Sequence, residues 1–212
     1  MFSELNEKIK RYSNVTPWPV WLIVLIPFSI IFSYYIQFDW YRWDWLWRNL
    51  AWIFDNINGI IHETGHFTFY WINIIVWGFI SRVTMQDFTA AAWTGFETIF
   101  PIILLYKLWK EEEFYGVAFC LGWLSTSLYH TSWYMYMSRI EWPVASSNFL
   151  KKLFDSVGAV GHHDWYYLFS RMWLLEYDRI IAWQVKNIAI LLAGISILSA
   201  TYLIYKSFRN NQ

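Results

Sequence analysis

The strongest constraint on the fold is a series of apolar stretches, each about 20 residues long. A stretch of this length, wound as an α-helix, crosses the hydrocarbon core of a bilayer and satisfies its backbone hydrogen bonds internally. The sequence therefore predicts an all-α, polytopic integral-membrane bundle that forms a single domain over residues 1–212. The five predicted spans are Trp18–Phe38, Gly59–Ile80, Thr89–Leu108, Phe114–Met137 and Ile188–Tyr205.

The composition agrees with a chain that lies in lipid. It is 57% hydrophobic and 15% charged, whereas a soluble domain is about 25% charged. Residues 39–49 alternate Trp and Tyr with charges, which predicts an amphipathic segment at the headgroup level. The formal net charge is zero, which gives no sign of a nucleic-acid partner. The one cysteine, Cys120, rules out an internal disulfide and a zinc site built from several thiolates.

Three ionisable residues interrupt the second predicted span. In "IIHETGHF", His62 and His66 are four residues apart and Glu63 follows the first of them. On a helix the two imidazoles share one face, from which they can bind the same Zn²⁺, and Glu63 can act as general base on the metal-activated water. Ionisable groups at membrane depth are costly and usually mark function. The motif therefore predicts a zinc hydrolase site, and a hydrogen-bonded polar patch between helices is the alternative.

A catalytic zinc needs a third protein ligand, and the sequence offers few candidates. Asp164 in "GAVGHHDWYYLF" is our first choice, because a carboxylate suits a peptidase site and the nearby glycines allow a segment to enter the protein interior. His163 is the runner-up, and either residue could support the other from outside the metal sphere. An interfacial loop anchored by its Trp is the alternative interpretation of this segment.

Three further polar residues could serve the site from other spans. His130 is a candidate ligand or a hydrogen-bonded packing residue of the fourth span. Glu97 in the third span could orient the substrate or a ligand histidine, or pair with an Arg or a hydroxyl. Arg139 could extend to the membrane surface, or it could pair with an acid such as Glu97 or Asp164.

Taken together, these motifs resemble two related groups of membrane proteins. An H-E-x-x-H helix followed by a distant aspartate is similar to the site-2 protease class of intramembrane zinc metalloproteases, although Trp165 stands where that class has Gly after the aspartate. A closer likeness is to small bacterial membrane proteins that combine three motifs. These are an "HExGH" helix, a G-x-x-[QE]-x-x-x-P stretch and a later "HDW-x-x-L" motif. The corresponding residues here are His62 to His66, Gly95, Glu97 and Pro101, and His163 to Leu168. The resemblance implies His62, His66 and Asp164 as zinc ligands, Glu63 as base, and a multi-pass protein of the bacterial inner membrane.

The leading hypothesis is an intramembrane zinc metalloprotease that cuts a membrane-embedded peptide or protein. Two other functions stay open. A membrane di-iron oxygenase would use the adjacent histidines at 162 and 163, but five histidines and three acids at membrane depth are few for two irons. A non-catalytic metal-binding subunit of a membrane complex would use the same histidines without turnover.

Overall fold

A computed structural model describes the chain as an assembly of helices. The described residues are 2–15, 18–37, 54, 56–62, 64–65, 67–68, 71–72, 75, 82–139 and 164–210. No β-strand occurs among them, so the all-α prediction is confirmed for this part of the chain. The predicted interfacial segment, residues 39–49, lies outside the described residues.

Six α-helices have bounds within the described residues. They are α1 (Phe2–Val15), α2 (Trp18–Gln37), α3 (Arg82–Lys110), α4 (Phe114–Tyr136), α5 (Asp164–Arg171) and α6 (Asp178–Asn210), and the 3₁₀ turn Leu175–Tyr177 precedes α6. Between α2 and α3, helical positions occur at 54, 56–62, 64–65, 67–68, 71–72 and 75, and we call these residues the motif segment. α2 and α4 match two predicted spans, whereas α3 and α6 begin earlier than their apolar stretches. The search for apolar stretches missed α1 and α5, because both contain many polar residues.

One helical segment has the length and composition of a membrane span in the described part of the chain. This segment runs from Leu175 to Arg209 and consists of the 3₁₀ turn and nearly all of α6. Trp18–Ser33 is a shorter apolar helix. The structure therefore supports one membrane-capable helix, and the five-span arrangement stays a prediction.

The centre of the fold is the antiparallel pair α4–α6, which also packs against α2. α6 contributes small side chains to this contact, and the Ser196 hydroxyl donates to the Ala118 carbonyl at 2.7 Å. In the opposite direction, the Ser125 hydroxyl of α4 donates to the Ala189 carbonyl of α6 at 2.8 Å. Small residues at three- and four-residue spacing allow two helices to approach closely. The buried residues of this α6 seam are Ala182, Ala189, Ala193, Ser196, Ala200, Leu203 and Ser207.

α2 packs against both α4 and α6, and Phe28 makes its contact with α4. The Phe28 ring is buried, lies against Gly122 and contacts the rings of Phe54 and Phe119 at centroid distances of 5.3 and 5.7 Å. Phe54 begins the motif segment, so Phe28 connects α2 both to α4 and to the start of that segment. A Cβ at position 122 would lie 2.6 Å from Phe28 ring atoms.

We expect Gly122→Ala to destabilise the protein by up to about 2 kcal/mol. Overpacking a core costs about 1–3 kcal/mol, and about 1 kcal/mol is regained from the higher helix propensity of Ala. Gly194→Ala is the matched control, because its Cβ would meet Phe32 at an ordinary 3.8 Å. Thermal unfolding in detergent, followed by circular dichroism, should give a lower midpoint for the first variant alone. Equal midpoints would contradict this account of the packing.

The C-terminal end of α4 and the N-terminal end of α6 are joined by an ion pair whose carboxylate is buried. Asp178, the first residue of α6, is fully buried and accepts two hydrogen bonds from Arg139, Nε to Oδ2 at 2.6 Å and Nη2 to Oδ1 at 2.8 Å. The Ser138 hydroxyl donates to Asp178 Oδ2 at 3.0 Å, and Arg139 Nη2 also donates to the Leu175 carbonyl. These contacts fix the C-terminal end of α4 against the N-terminal end of α6.

At the opposite end, α1 is held to the α3–α4 turn by polar contacts. The Tyr12 hydroxyl donates to the Glu113 carboxylate at 2.7 Å, and Lys8 Nζ pairs with Glu112 at 2.9 Å. The hydrogen bond from Lys8 to Glu112 and the negative charge of Glu112 raise the pKa of Lys8 above its usual value. Because these groups are exposed to solvent, such a pair contributes little to stability.

Candidate functional site

The candidate site begins with the contact between the motif segment and α4. Asn58 is fully buried, and its side-chain oxygen accepts from the Trp123 indole N–H at 3.1 Å and from the Ser127 hydroxyl at 3.2 Å. Its amide nitrogen lies 3.5 Å from the Thr126 hydroxyl. A buried amide with several partners fixes one register between two helices. His62 lies one helical turn after Asn58 and is therefore positioned by this contact.

Glu97 of α3 lies between two imidazoles. Its side chain is fully buried, and His130 Nδ1 lies 3.3 Å from each of its two carboxylate oxygens. His62 Nδ1 lies 3.7 Å from Oε1 of the same carboxylate. Burying a charged carboxylate is costly unless it is paired. His130 is a hydrogen-bond partner for Oε2, whereas His62 Nδ1 lies beyond hydrogen-bond distance of Oε1. The structure thus brings together three of the residues that the sequence singled out.

The two imidazoles differ in exposure. The side chain of His62 is 13% exposed and that of His130 is 26% exposed, whereas Glu97 is inaccessible to solvent. The His62 ring also contacts Tyr134 edge to face, with a centroid distance of 5.9 Å. Ser127, His130 and Tyr134 follow at helical spacing on α4, so a single face of that helix contacts both the motif segment and Glu97 of α3.

Asp164 is the first residue of α5, and its side chain is half-buried. α5 packs against α3 and α4, the helices that carry Glu97 and His130. Its neighbour Trp165 packs in the cluster formed by Met135, Phe169 and Ala182. His130 precedes Met135 by five residues, about 7.5 Å along the helix axis. α5 therefore lies at the same end of α4 as the two imidazoles.

The structure describes only some of the residues of the predicted zinc site. His62 and Asp164 belong to the described residues, whereas Glu63, His66 and His163 lie outside them. Among the side chains that the structure describes, no group of three His, Cys, Asp or Glu residues is arranged to hold a metal ion. The assignment of His62, His66 and Asp164 as ligands therefore stays a prediction.

No protein-family model, curated protein or solved structure matches this chain. The likeness to site-2 proteases consequently rests on the three sequence motifs and stays a prediction. Two of these motifs meet in space, because His62 belongs to the first and Glu97 to the second. Pro101 of the second motif is also buried, one helical turn after Glu97.

Sequence reasoning missed several partners around the site. Asn58 stands four residues before His62, and this helical spacing could have identified it as a buried polar residue on the same face. Asp178 is the partner of Arg139, for which we considered Glu97 and Asp164 instead. Asp178 lies in a segment of mixed composition where no helix start was predicted, so no sequence pattern identified it.

Proposed function

We propose that the protein is an intramembrane zinc metallopeptidase that hydrolyses a peptide bond in a membrane-embedded substrate. The observation that supports this best is the contact of His62, the first histidine of the H-E-x-x-H motif, with the buried carboxylate of Glu97 at 3.7 Å. Histidines that bind a metal commonly donate their other ring N–H to a carboxylate. Glu97 places a buried carboxylate near His62 Nδ1, at a distance longer than a hydrogen bond.

We propose a multi-pass location in the bacterial inner membrane, and the distribution of side chains supports the membrane part of this proposal. Many of the buried side chains are small or polar, including Ser125, Thr131 and Ser196. The exposed face of α3 carries Ile99, Phe100 and Ile103, and other large apolar side chains are exposed on the motif segment and on α6. Large apolar side chains exposed on several helices are expected next to lipid.

Aromatic residues on α6 indicate where such a membrane would end. Trp183 and Tyr205 are both exposed and stand twenty-two residues apart on this helix, a distance of about 33 Å. The hydrocarbon core of a bilayer is about 30 Å thick, and Trp and Tyr concentrate at its two boundaries. Lys206 and Arg209 follow Tyr205 and would lie at the headgroups.

The rise per residue along a helix also indicates how deep Glu97 would lie in the membrane. Glu97 stands thirteen residues before Lys110, at which α3 ends, and is therefore about 20 Å from that end along the helix axis. The exposed residues at this level of α3 are apolar. Hydrolysis at such a depth requires a polar interior that excludes lipid, which Asn58, Glu97 and the hydroxyl groups of α4 provide.

The proposed chemistry divides among the residues of the motif and its partners. His62, His66 and Asp164 would hold zinc, which supplies Lewis acidity at the scissile carbonyl when bound. The Glu63 carboxylate accepts a proton from the attacking water as the water oxygen bonds to the carbonyl carbon. Glu63 then delivers that proton to the amide nitrogen as the C–N bond breaks. The substrate must be locally unwound, because a helical peptide bond is shielded by its own hydrogen bonds.

Metal analysis of purified variants tests the proposed site. We expect His62→Ala, His66→Ala and Asp164→Ala each to lose most of the bound zinc, because a three-ligand site cannot retain the ion with two. Glu111→Ala is the control, since Glu111 is exposed in the α3–α4 turn. Zinc content that is unchanged in all three variants would refute the site.

A further inference from the structure

The turn that follows α5 holds a tryptophan in a left-handed backbone conformation. Trp173 has a φ of 59°. The Leu174 amide donates to the Phe169 carbonyl at 2.8 Å, and the Trp173 amide donates to the Ser170 carbonyl at 3.4 Å. This pair of hydrogen bonds defines a Schellman motif, whose left-handed position is usually glycine. Trp173 therefore occupies a position that disfavours a side chain.

The turn after α3 has the same backbone motif with a different side chain. The Glu113 amide donates to the Leu108 carbonyl at 2.9 Å, and Glu112 is left-handed at a φ of 61°. The Glu112 side chain pairs with Lys8 at 2.9 Å, whereas Trp173 is 90% exposed. Backbone strain at an exposed aromatic side chain suggests that the side chain has a function of its own.

The residues around Trp173 have the chemistry of a membrane interface. Trp and Tyr concentrate at the headgroup level, because the ring is apolar while its N–H or O–H needs a polar partner. Arginine binds phosphate oxygens through several N–H donors. Two arginines and one glutamate among the exposed residues give this surface a positive balance, which favours lipid phosphates as its partner. The exposed residues of 171–179 are Arg171, Met172, Trp173, Glu176, Tyr177 and Arg179.

The position of this turn relative to α6 agrees with the headgroup layer. The membrane-capable segment begins at Leu175, two residues after Trp173. If Trp183 lies at the hydrocarbon boundary, Asp178 at the start of α6 lies about 7.5 Å outside it. Each headgroup layer is about 5–7 Å thick. The turn before α6 is therefore at the level of the headgroups.

We propose that residues 172–177 anchor the N-terminal end of α6 in the headgroup layer of the bilayer, with the Trp173 indole inserted between phospholipid headgroups. This inference rests on the membrane location in the proposed function, but not on zinc or on peptide hydrolysis. Leu174 packs inward against the cluster that contains Phe169, so the Schellman motif presents Trp173 on the outside. The indole N–H can donate to a phosphate oxygen while the ring lies against the acyl chains.

Spin-label depth measurements in vesicles of phosphatidylethanolamine and phosphatidylglycerol test the anchor. Trp173→Cys and Leu191→Cys introduce the labelled thiols, and unsubstituted protein is the blank because its Cys120 is fully buried. Leu191 is 62% exposed and lies within the membrane-capable segment. Glu111→Cys is the exposed control, because its turn consists of three consecutive glutamates that anionic lipid repels.

The measurement compares relaxation of each label by oxygen, which partitions into lipid, and by a water-soluble nickel complex. We expect the label at 191 to be shielded from nickel and the label at 173 to be less accessible to nickel than the label at 111. Shielding at 191 with equal nickel access at 173 and 111 refutes the anchor, leaves the membrane location standing and leaves this face to a soluble partner. Full nickel access at 191 refutes the membrane location of α6 and the anchor together.

Glycine substitution at the two left-handed positions tests the Trp173 ring itself. Glu112→Gly is the matched control, because it relieves the same backbone conformation and loses only an exposed ion pair. We expect Glu112→Gly to raise the thermal midpoint in vesicles by about 2–4 °C. Trp173→Gly should raise it less or lower it, because this variant also removes the ring from the headgroups. Equal rises in the two variants would overturn the inference.

Discussion

Glu63→Gln is expected to lower peptide hydrolysis by about 10²–10⁴-fold while zinc content stays unchanged. A positioned general base contributes a factor of this size, and a neutral amide cannot take a proton from water. The measurement is mass spectrometry of a transmembrane peptide with a Gly-Pro break, reconstituted with the protein in phosphatidylethanolamine and phosphatidylglycerol vesicles. The break keeps the peptide locally unwound and therefore accessible.

The control for this experiment is His66→Ala, which is expected to lose zinc and hydrolysis together. Hydrolysis that persists in Glu63→Gln would remove Glu63 from the mechanism. A purified protein that binds zinc but cuts no such peptide, with or without Glu63, would favour the non-catalytic metal-binding subunit. The comparison thus separates a hydrolase from a protein that uses the same histidines only to bind metal.

Arg139→Ala is expected to lower the free energy of unfolding by about 3 kcal/mol. Removing one partner of a buried ion pair leaves the other charge uncompensated, which usually costs about 3–5 kcal/mol. We expect the lower end because the Arg139 side chain is 43% exposed, whereas that of Asp178 is 1% exposed. Ser138 and the backbone N–H of Arg179 still donate to Asp178 in the variant.

The neighbouring Arg179 provides the matched control. It is exposed and lies over the Tyr136 ring, with 5.4 Å between the guanidinium carbon and the ring centroid. An exposed contact of this type is worth about 0.5–1 kcal/mol, so Arg179→Ala should have a much smaller effect. Unfolding in detergent measures both variants, and equal losses would contradict the importance of the buried pair.

Sequence patterns predicted the parts of this fold that depend on continuous apolar composition. α2 and α4 were found within one residue at each end, because their stretches begin and end at clear changes in polarity. α6 begins ten residues before its predicted span because Asp178 and Arg179 interrupt the apolar pattern, while burial of Asp178 against Arg139 stabilises the helix start. Periodicity along one helix contains no information about a partner on another helix.

The sequence identified the individual residues of the candidate site, but it did not predict which of them contact one another. His62, Glu97 and His130 each stood out as polar groups within apolar stretches, and the structure brings them together. The pairing of Glu97 with two imidazoles at once depends on how α3 and the motif segment pack on α4, which local sequence does not determine. Asn58 was missed for a related reason, since an amide needs several partners before its burial is favourable.

The two serine hydrogen bonds between α4 and α6 have a mechanical consequence. Ser196 bonds to the carbonyl of Ala118, and Ser125 bonds to that of Ala189, so each helix donates once, at sites seven residues apart. Sliding one helix past the other by a single turn would break both bonds and would also separate Arg139 from Asp178. These contacts oppose relative movement of the two helices, so in the proposed peptidase a gap that admits a peptide would open along a different boundary of the bundle.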